Sequence, residues 1–185
     1  MKGGFIMKKI IIFITIVMGS FLINKLNKQE ILIPNEAIRL RVIANSNSVS
    51  DQEIKTKVRN NLQEEIYKTL KNAKSVEETR NLLNEHITDF EKIVENTLEE
   101  VKKEETFKIN YGLNYFPEKV YKGVTYEEGY YESMVVTIGM GEGDNWWCVL
   151  FPPLCLLEAE ETMKKEETEY KFFVKELIDK YFKND

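Results

Sequence analysis

IRLRVIANSNSVSDQEIKTKVRNNL, residues Ile38–Leu62, changes its hydrophobic period midway, and that change decides the fold. Ile38, Leu40, Val42 and Ala44 alternate with Arg39 and Arg41, the period-two pattern of a strand with one buried face. On that reading the outer face carries two arginines. Asn45-Ser46-Asn47-Ser48 then reads as a turn, because each side chain can bond nearby backbone. Ser50-x-x-Glu53 is a capping box, and Ile54, Val58, Leu62, Ile66 and Leu70 recur as one helical stripe behind it. Lys55, Lys57 and Arg59 lie off the stripe.

Working outward, a second capping box, Ser75-x-x-Glu78, opens a longer helix whose stripe runs from Val76 through Leu82, Leu83, Ile87, Phe90, Val94 and Leu98 to Val101. The link between the two helices is short, which predicts antiparallel packing. After a charge run the period returns to two at Phe107, Ile109, Tyr111 and Leu113, and Pro117 ends that strand. Tyr121–Tyr126 and Tyr131–Ile138 read as further strands, with Glu127-Glu128-Gly129 as the hairpin turn between them. Glu158–Phe182 reads as a last helix, with Tyr170, Phe173, Val174, Leu177, Ile178 and Tyr181 on its apolar face. The order predicts an α+β fold: an antiparallel sheet of about four to five strands, with two antiparallel helices and a C-terminal helix packed on one face. The other face of such a sheet is left to water or to a partner.

Upstream, Lys2, Lys8 and Lys9 precede the apolar run Ile10–Ile23. A basic flank before an apolar run is the pattern of an export signal. As a helix the run spans ~21 Å, short of the roughly 30 Å hydrocarbon core of a bilayer. Its only small pair, Gly19-Ser20, lies inside the apolar run, so a cleaved signal peptide and a retained membrane anchor both stay open. Residues 1–34 are thus assigned to a leader helix plus linker, and residues 35–185 to one domain.

Export changes the reading of the two cysteines, Cys148 and Cys155: outside the membrane they can pair, whereas a reducing cytosol would keep them as thiols. Their spacing is not that of a metal site, and the chain has one histidine, so no metal is expected. A net charge of −5 argues against nucleic acid, which needs a basic face.

Catalytic patterns are not found. His86 has no second histidine to work with, and there is no G-x-S-x-G elbow. Gly139-Met-Gly-Glu-Gly143 lacks the Gly-Lys-Ser/Thr ending of a phosphate loop, and Glu142 and Asp144 would repel phosphate. It reads instead as a turn needing positive φ. Glu142 and Asp144 could also serve as the acid–base pair of a cell-wall glycan hydrolase, the rival reading to a non-enzymatic one. Neither a cofactor nor a small-molecule substrate is expected.

GEGDNWWCVLFPPLC, Gly141–Cys155, holds both tryptophans and both cysteines of the chain. Adjacent Trp146 and Trp147 point to opposite faces of an extended segment. Pro152 and Pro153 stiffen the backbone, and a Cys148–Cys155 bond would close a small loop around them. Either Val149, Leu150, Phe151 and Leu154 form a rigid apolar projection, suited to a binding hot spot, or they fold inward and the loop staples a core.

Ile38–Leu62 and Gly141–Cys155 resemble the stage II sporulation protein R family of endospore-forming bacteria, with its I-R-L-R-x-x-A-N-S-D-S, D-Q-x-x-K-x-x-V-R and G-x-G-x-N-W-W-C-V-x-F-P-P-L-C stretches. The resemblance covers most of the chain after the leader and departs at Asn47, where the family has aspartate. An asparagine there keeps the carbonyl acceptor and loses the charge. The resemblance implies a signal made in the forespore and exported into the space between forespore and mother cell. There it triggers a membrane-embedded aspartic peptidase that removes the pro-sequence of sigma-E; the peptidase holds the catalytic groups. The resemblance does not say which residues touch the receptor; partner-binding roles are expected for Arg39, Arg41, Asn45, Ser46, Asp51, Gln52, Arg59, Asn145, Trp146, Trp147 and Phe151. Gly141, Gly143, Cys148, Pro152, Pro153 and Cys155 are then the loop that supports them. An envelope-tethered structural domain is the blander alternative.

Overall fold

The computed structural model describes residues 31–102, 104–155 and 167–182, together with Met18. The leader helix, and the part of the C-terminal helix expected before Glu167, lie outside the described residues. Among those described, no helix is long and apolar enough to cross a membrane.

The fold is α+β. In chain order it runs β1 (Ile31–Leu32), β2 (Ile38–Ile43), α1 (Val49–Leu70), α2 (Val76–Glu85), α3 (Ile87–Glu100), β3 (Phe107–Phe116), β4 (Lys119–Tyr121), β5 (Val124–Tyr126), β6 (Gly129–Ile138), β7 (Asn145–Phe151) and α4 (Glu167–Phe182). The four-stranded sheet has the order β3-β6-β2-β7, and a three-stranded sheet has the order β1-β5-β4.

The larger sheet is mixed rather than antiparallel throughout. β3 and β6 pair antiparallel, as do β2 and β7, but β2 runs parallel to β6, with Arg39 opposite Ser133 and Val42 opposite Val136. β6 and β7 are consecutive in sequence, yet they do not pair: β2 lies between them and fills the centre of the sheet. Alternation marks which side chains share a face, not which neighbour a strand takes or in which direction.

Three further departures have local causes. Ile31–Leu32, assigned to the linker, pairs parallel with β5, and Ile33 beside it is buried. The single strand expected over Tyr121–Tyr126 is two, β4 and β5, folded back at Lys122-Gly123, both with positive φ. The long second helix breaks at His86, whose φ of −100° and ψ of 11° cap α2 and open α3.

Ile38, Leu40 and Val42 face the helices and share one core with Ile54, Val58, Leu62 and Ile66 of α1, Leu83 of α2, and Phe90, Val94 and Leu98 of α3. The opposite parity of β2 and β7 is covered as well. Val149 packs there with Ile33 and Val124, and with Tyr170, Val174 and Leu177 of α4. The C-terminal helix therefore closes the back of the sheet, with Tyr181 and Phe182 at its end reaching the helix-side core at Phe151, and Arg39 is buried, only 2% exposed. Its placement on an outer, wet face is corrected by this second layer.

One ion pair ties α2 to the sheet. Arg80 donates to both carboxylate oxygens of Glu132, at 2.9 and 2.8 Å, and the Tyr111 hydroxyl donates to the same carboxylate at 2.6 Å. Arg80 holds the Glu132 carboxyl below its usual value. Burial and the Glu132 carboxylate together push the Tyr111 phenol up.

Candidate functional site

The two sequence blocks meet in space. Ser48, not Ser50, caps α1: its hydroxyl accepts from the Asp51 backbone N–H at 3.1 Å. The same three-residue spacing exists at both serines, and Ser48 prevails because Asp51 is held from the other side. The Asp51 carboxylate accepts from Ser46 Oγ at 2.6 Å and from Asn45 Nδ2 at 3.1 Å. Gln52 Nε2 donates to the Ser46 carbonyl at 2.9 Å.

The glycine turn closes onto this cap. The Met140 N–H donates to Asn45 Oδ1 at 2.9 Å, and the Asp144 N–H to Asn47 Oδ1 at 2.7 Å. The N–H groups of Glu142 and Gly143 reach the carbonyls of Asn45 and Ala44. Lys55, itself buried, donates to the Asp144 carbonyl at 3.0 Å, and burial lowers its pKa against the pull of Asp144. The carbonyl of Asn47 thus does the work that the sequence leaves to it, without a charge. A Cβ on Gly143 would stand 2.3 Å from the Ser46 carbonyl oxygen, and Gly139 adopts φ of +55°, so both positions require glycine. Asn45, Ser46, Asp51 and Gln52 therefore direct their side chains into the fold. Glu142 and Asp144 are exposed on this turn.

In β7 the tryptophans part as adjacent strand residues must. Trp146 packs toward the helix-side core, with the Arg59 guanidinium 5.2 Å above its ring. Trp147 lies on the other face, edge-on to Phe116 at 5.4 Å, with Lys119 Nζ 4.9 Å from its ring centre. Cys148 and Cys155 are joined by a disulfide, Cα atoms 5.5 Å apart, and the Phe151–Pro152 peptide is cis. Val149, Leu150, Phe151 and Leu154 are all buried, and Phe151 packs on Tyr181 at 4.9 Å. The rigid apolar projection is thus overturned: these side chains fold inward, and Phe151 presents no surface. Pro152 is buried and Pro153 half-buried, while Asn145 stays exposed at the start of the strand.

Behind β2 lies a cavity of about 260 Å³, lined by residues that include Arg39, Phe116, Lys119, Tyr126, Trp147 and Tyr170. Arg39 lies 3.4 Å from the centre of the Tyr131 ring, with Phe116 at 5.3 Å and Tyr126 at 5.9 Å. Such stacking returns about 2 kcal/mol when desolvated. Stripping an ion of water costs several times that. None of the three guanidinium nitrogens has a hydrogen-bond partner among the described residues, and neither does the buried indole Nε1 of Trp147. Burial pulls the Arg39 guanidinium below its usual pKa, with Tyr131 opposing. Arg41, half-buried, lies 5.0 Å from the Phe116 ring centre and donates to the Tyr115 carbonyl at 3.4 Å.

Of the expected site residues, the fold brings Arg39, Arg41 and Trp147 to one face, and Arg59 with Trp146 to the other. Phe116, Tyr126, Tyr131, Lys119 and Tyr170 were not among the site residues expected from sequence. A signal existed for one of them: Phe116 falls on the polar parity of β3, with Lys108, Asn110 and Asn114, where an aromatic residue is out of phase. Among the described residues no group of three or more His, Cys, Asp or Glu side chains is placed to hold a metal.

A family model for stage II sporulation protein R matches residues 34–161, a span that contains β2 through the disulfide loop and leaves α4 outside. The chain is 37% identical over 146 residues to the stage II sporulation protein R of Bacillus subtilis (strain 168). That alignment covers 78% of this chain and 65% of the relative, so the chain spans just under two thirds of the relative's length. No solved structure matches it.

Proposed function

The chain belongs to the stage II sporulation protein R family, and from that premise we propose that it is an exported signal of endospore formation rather than an enzyme. Made in the forespore and passed into the space between the two membranes, it binds the outward part of a membrane-embedded aspartic peptidase. That contact triggers removal of the pro-sequence from sigma-E. The apolar run Ile10–Ile23 directs export and either leaves as a signal peptide or stays as an anchor.

The observation that carries this reading is the coincidence of the family match with the two zipped blocks. Their polar side chains bond mainly to one another and hold Trp147 on a rigid strand at the cavity. A preformed aromatic contact loses little entropy on binding, which suits a trigger that must act on collision.

The test is reconstitution in a bacterium that does not sporulate. The peptidase and pro-sigma-E are expressed with this protein, either exported or lacking Ile10–Ile23, and pro-sequence removal is followed by immunoblot. Processing with the exported form alone is the expected result. No processing, with all three proteins present and folded, would overturn the reading. Trp147→Ala, folded by circular dichroism, is expected to abolish processing. Wall-degrading activity lost in a folded Glu142→Gln, Asp144→Asn variant would instead favour the hydrolase.

A further inference from the structure

We propose that the cavity behind β2 is a carboxylate-binding site, in which Arg39 and the indole N–H of Trp147 receive an acidic side chain of a polypeptide partner. The proposal rests on the chemistry of the cavity and stands whether or not the partner is the peptidase.

Two buried donor groups without partners among the described residues line one cavity. A buried donor left unmet is costly, and a guanidinium more so, so such groups are rare unless something else satisfies them. The stack of Arg39 on Tyr131 occupies the face of the guanidinium. Its N–H groups radiate from the edge in a fixed fork that matches the two oxygens of a carboxylate. The remaining walls, Phe116, Tyr126 and Tyr170, accept the apolar stem and flanks of the residue that carries it. Exposed Lys119, above Trp147, adds a second positive charge where the cavity meets solvent.

The donor set favours a carboxylate over a phosphate. One fork and one indole N–H suit two oxygens, whereas a phosphate dianion presents three and calls for more donors. A polypeptide source is favoured by the aromatic walls, which can hold apolar neighbours of the acid that a small free acid lacks. Exposed Asn145, which follows the zipped turn, lines the cavity together with exposed Lys119.

The test is calorimetry on the full-length chain in detergent with four probes. These are a blocked tripeptide with glutamate between two phenylalanines, its glutamine counterpart, 3-phenylpropionate, and inorganic phosphate. The glutamate peptide is expected to bind, with the glutamine peptide about tenfold or more weaker, the loss expected from charge-assisted hydrogen bonds. Arg39→Met, checked by circular dichroism, is expected to erase that difference, and Trp147→Phe to reduce it. Equal binding of the two peptides, or no binding of either, would overturn the site; this comparison uses the unmutated chain and does not depend on a variant folding. Phosphate binding as tightly as the glutamate peptide would overturn the carboxylate assignment, and 3-phenylpropionate doing so would overturn the polypeptide source.

Discussion

The zipped turn and the cavity behind β2 are built from the same two sequence blocks, yet they treat polar groups in opposite ways. At the turn, Asn45, Ser46, Asn47, Gln52 and Lys55 all find partners in the neighbouring loop or cap. Behind the strand, the guanidinium of buried Arg39 and the indole nitrogen of half-buried Trp147 have donors unmet among the described residues. The contrast divides the polar residues of the blocks into two kinds. One kind is bonded within the fold, and the other lines the cavity without such bonds. The conspicuous polar residues of the loop thus bond mainly within the fold, whereas Arg39, which alternation placed toward solvent, is buried beside the cavity.

Substitutions can break each side of this comparison. Gly143→Ala should have the largest effect, about 3 kcal/mol of lost stability, because its Cβ meets fixed backbone rather than a movable side chain. A thermal melt checks it, and a parent-like melting temperature would show that the turn can yield. Asp51→Ala should cost about 2 kcal/mol, since it removes the charged acceptor shared by Ser46 and Asn45. Chemical denaturation measures this loss, and a loss confined to helix fraying would mean that the junction holds without it.

Glu132 offers a paired charge to set beside Arg39. Glu132→Gln should cost about 1 kcal/mol at neutral pH, modest because the pair is partly solvated. The folded carboxyl is depressed by Arg80, so its contribution is present above the ordinary carboxylate value of about 4 and is lost as pH falls through the folded value. Melts of parent and variant should therefore converge in acid, and a constant gap would assign the loss to shape instead of charge. The smallest effect is expected at Arg39. Arg39→Met should change stability by less than about 1 kcal/mol, or raise it, since an unmet buried charge gives way to an apolar side chain of similar length. A large loss at that position would show that the aromatic stack already satisfies the guanidinium.

Much of this was legible beforehand. The Ser75 cap, the stripe of α1, the strand parities and the glycine turn all follow from contacts within a few residues, where spacing translates directly into geometry. The break at His86 was not legible, because the apolar stripe continues through it and only the backbone dihedrals change. Nor was the strand role of Ile31–Leu32, too short to show a period and stabilised only by β5.

For β2 the division is sharp. Alternation by itself determined that Arg39 and Arg41 oppose Ile38, Leu40 and Val42, because successive side chains of an extended backbone must point apart. Whether that second face is wet was decided only by tertiary structure. Ile33, Val124, Tyr170 and Val174, remote from one another in sequence, assemble over it, and burial depends on what arrives from elsewhere in the chain.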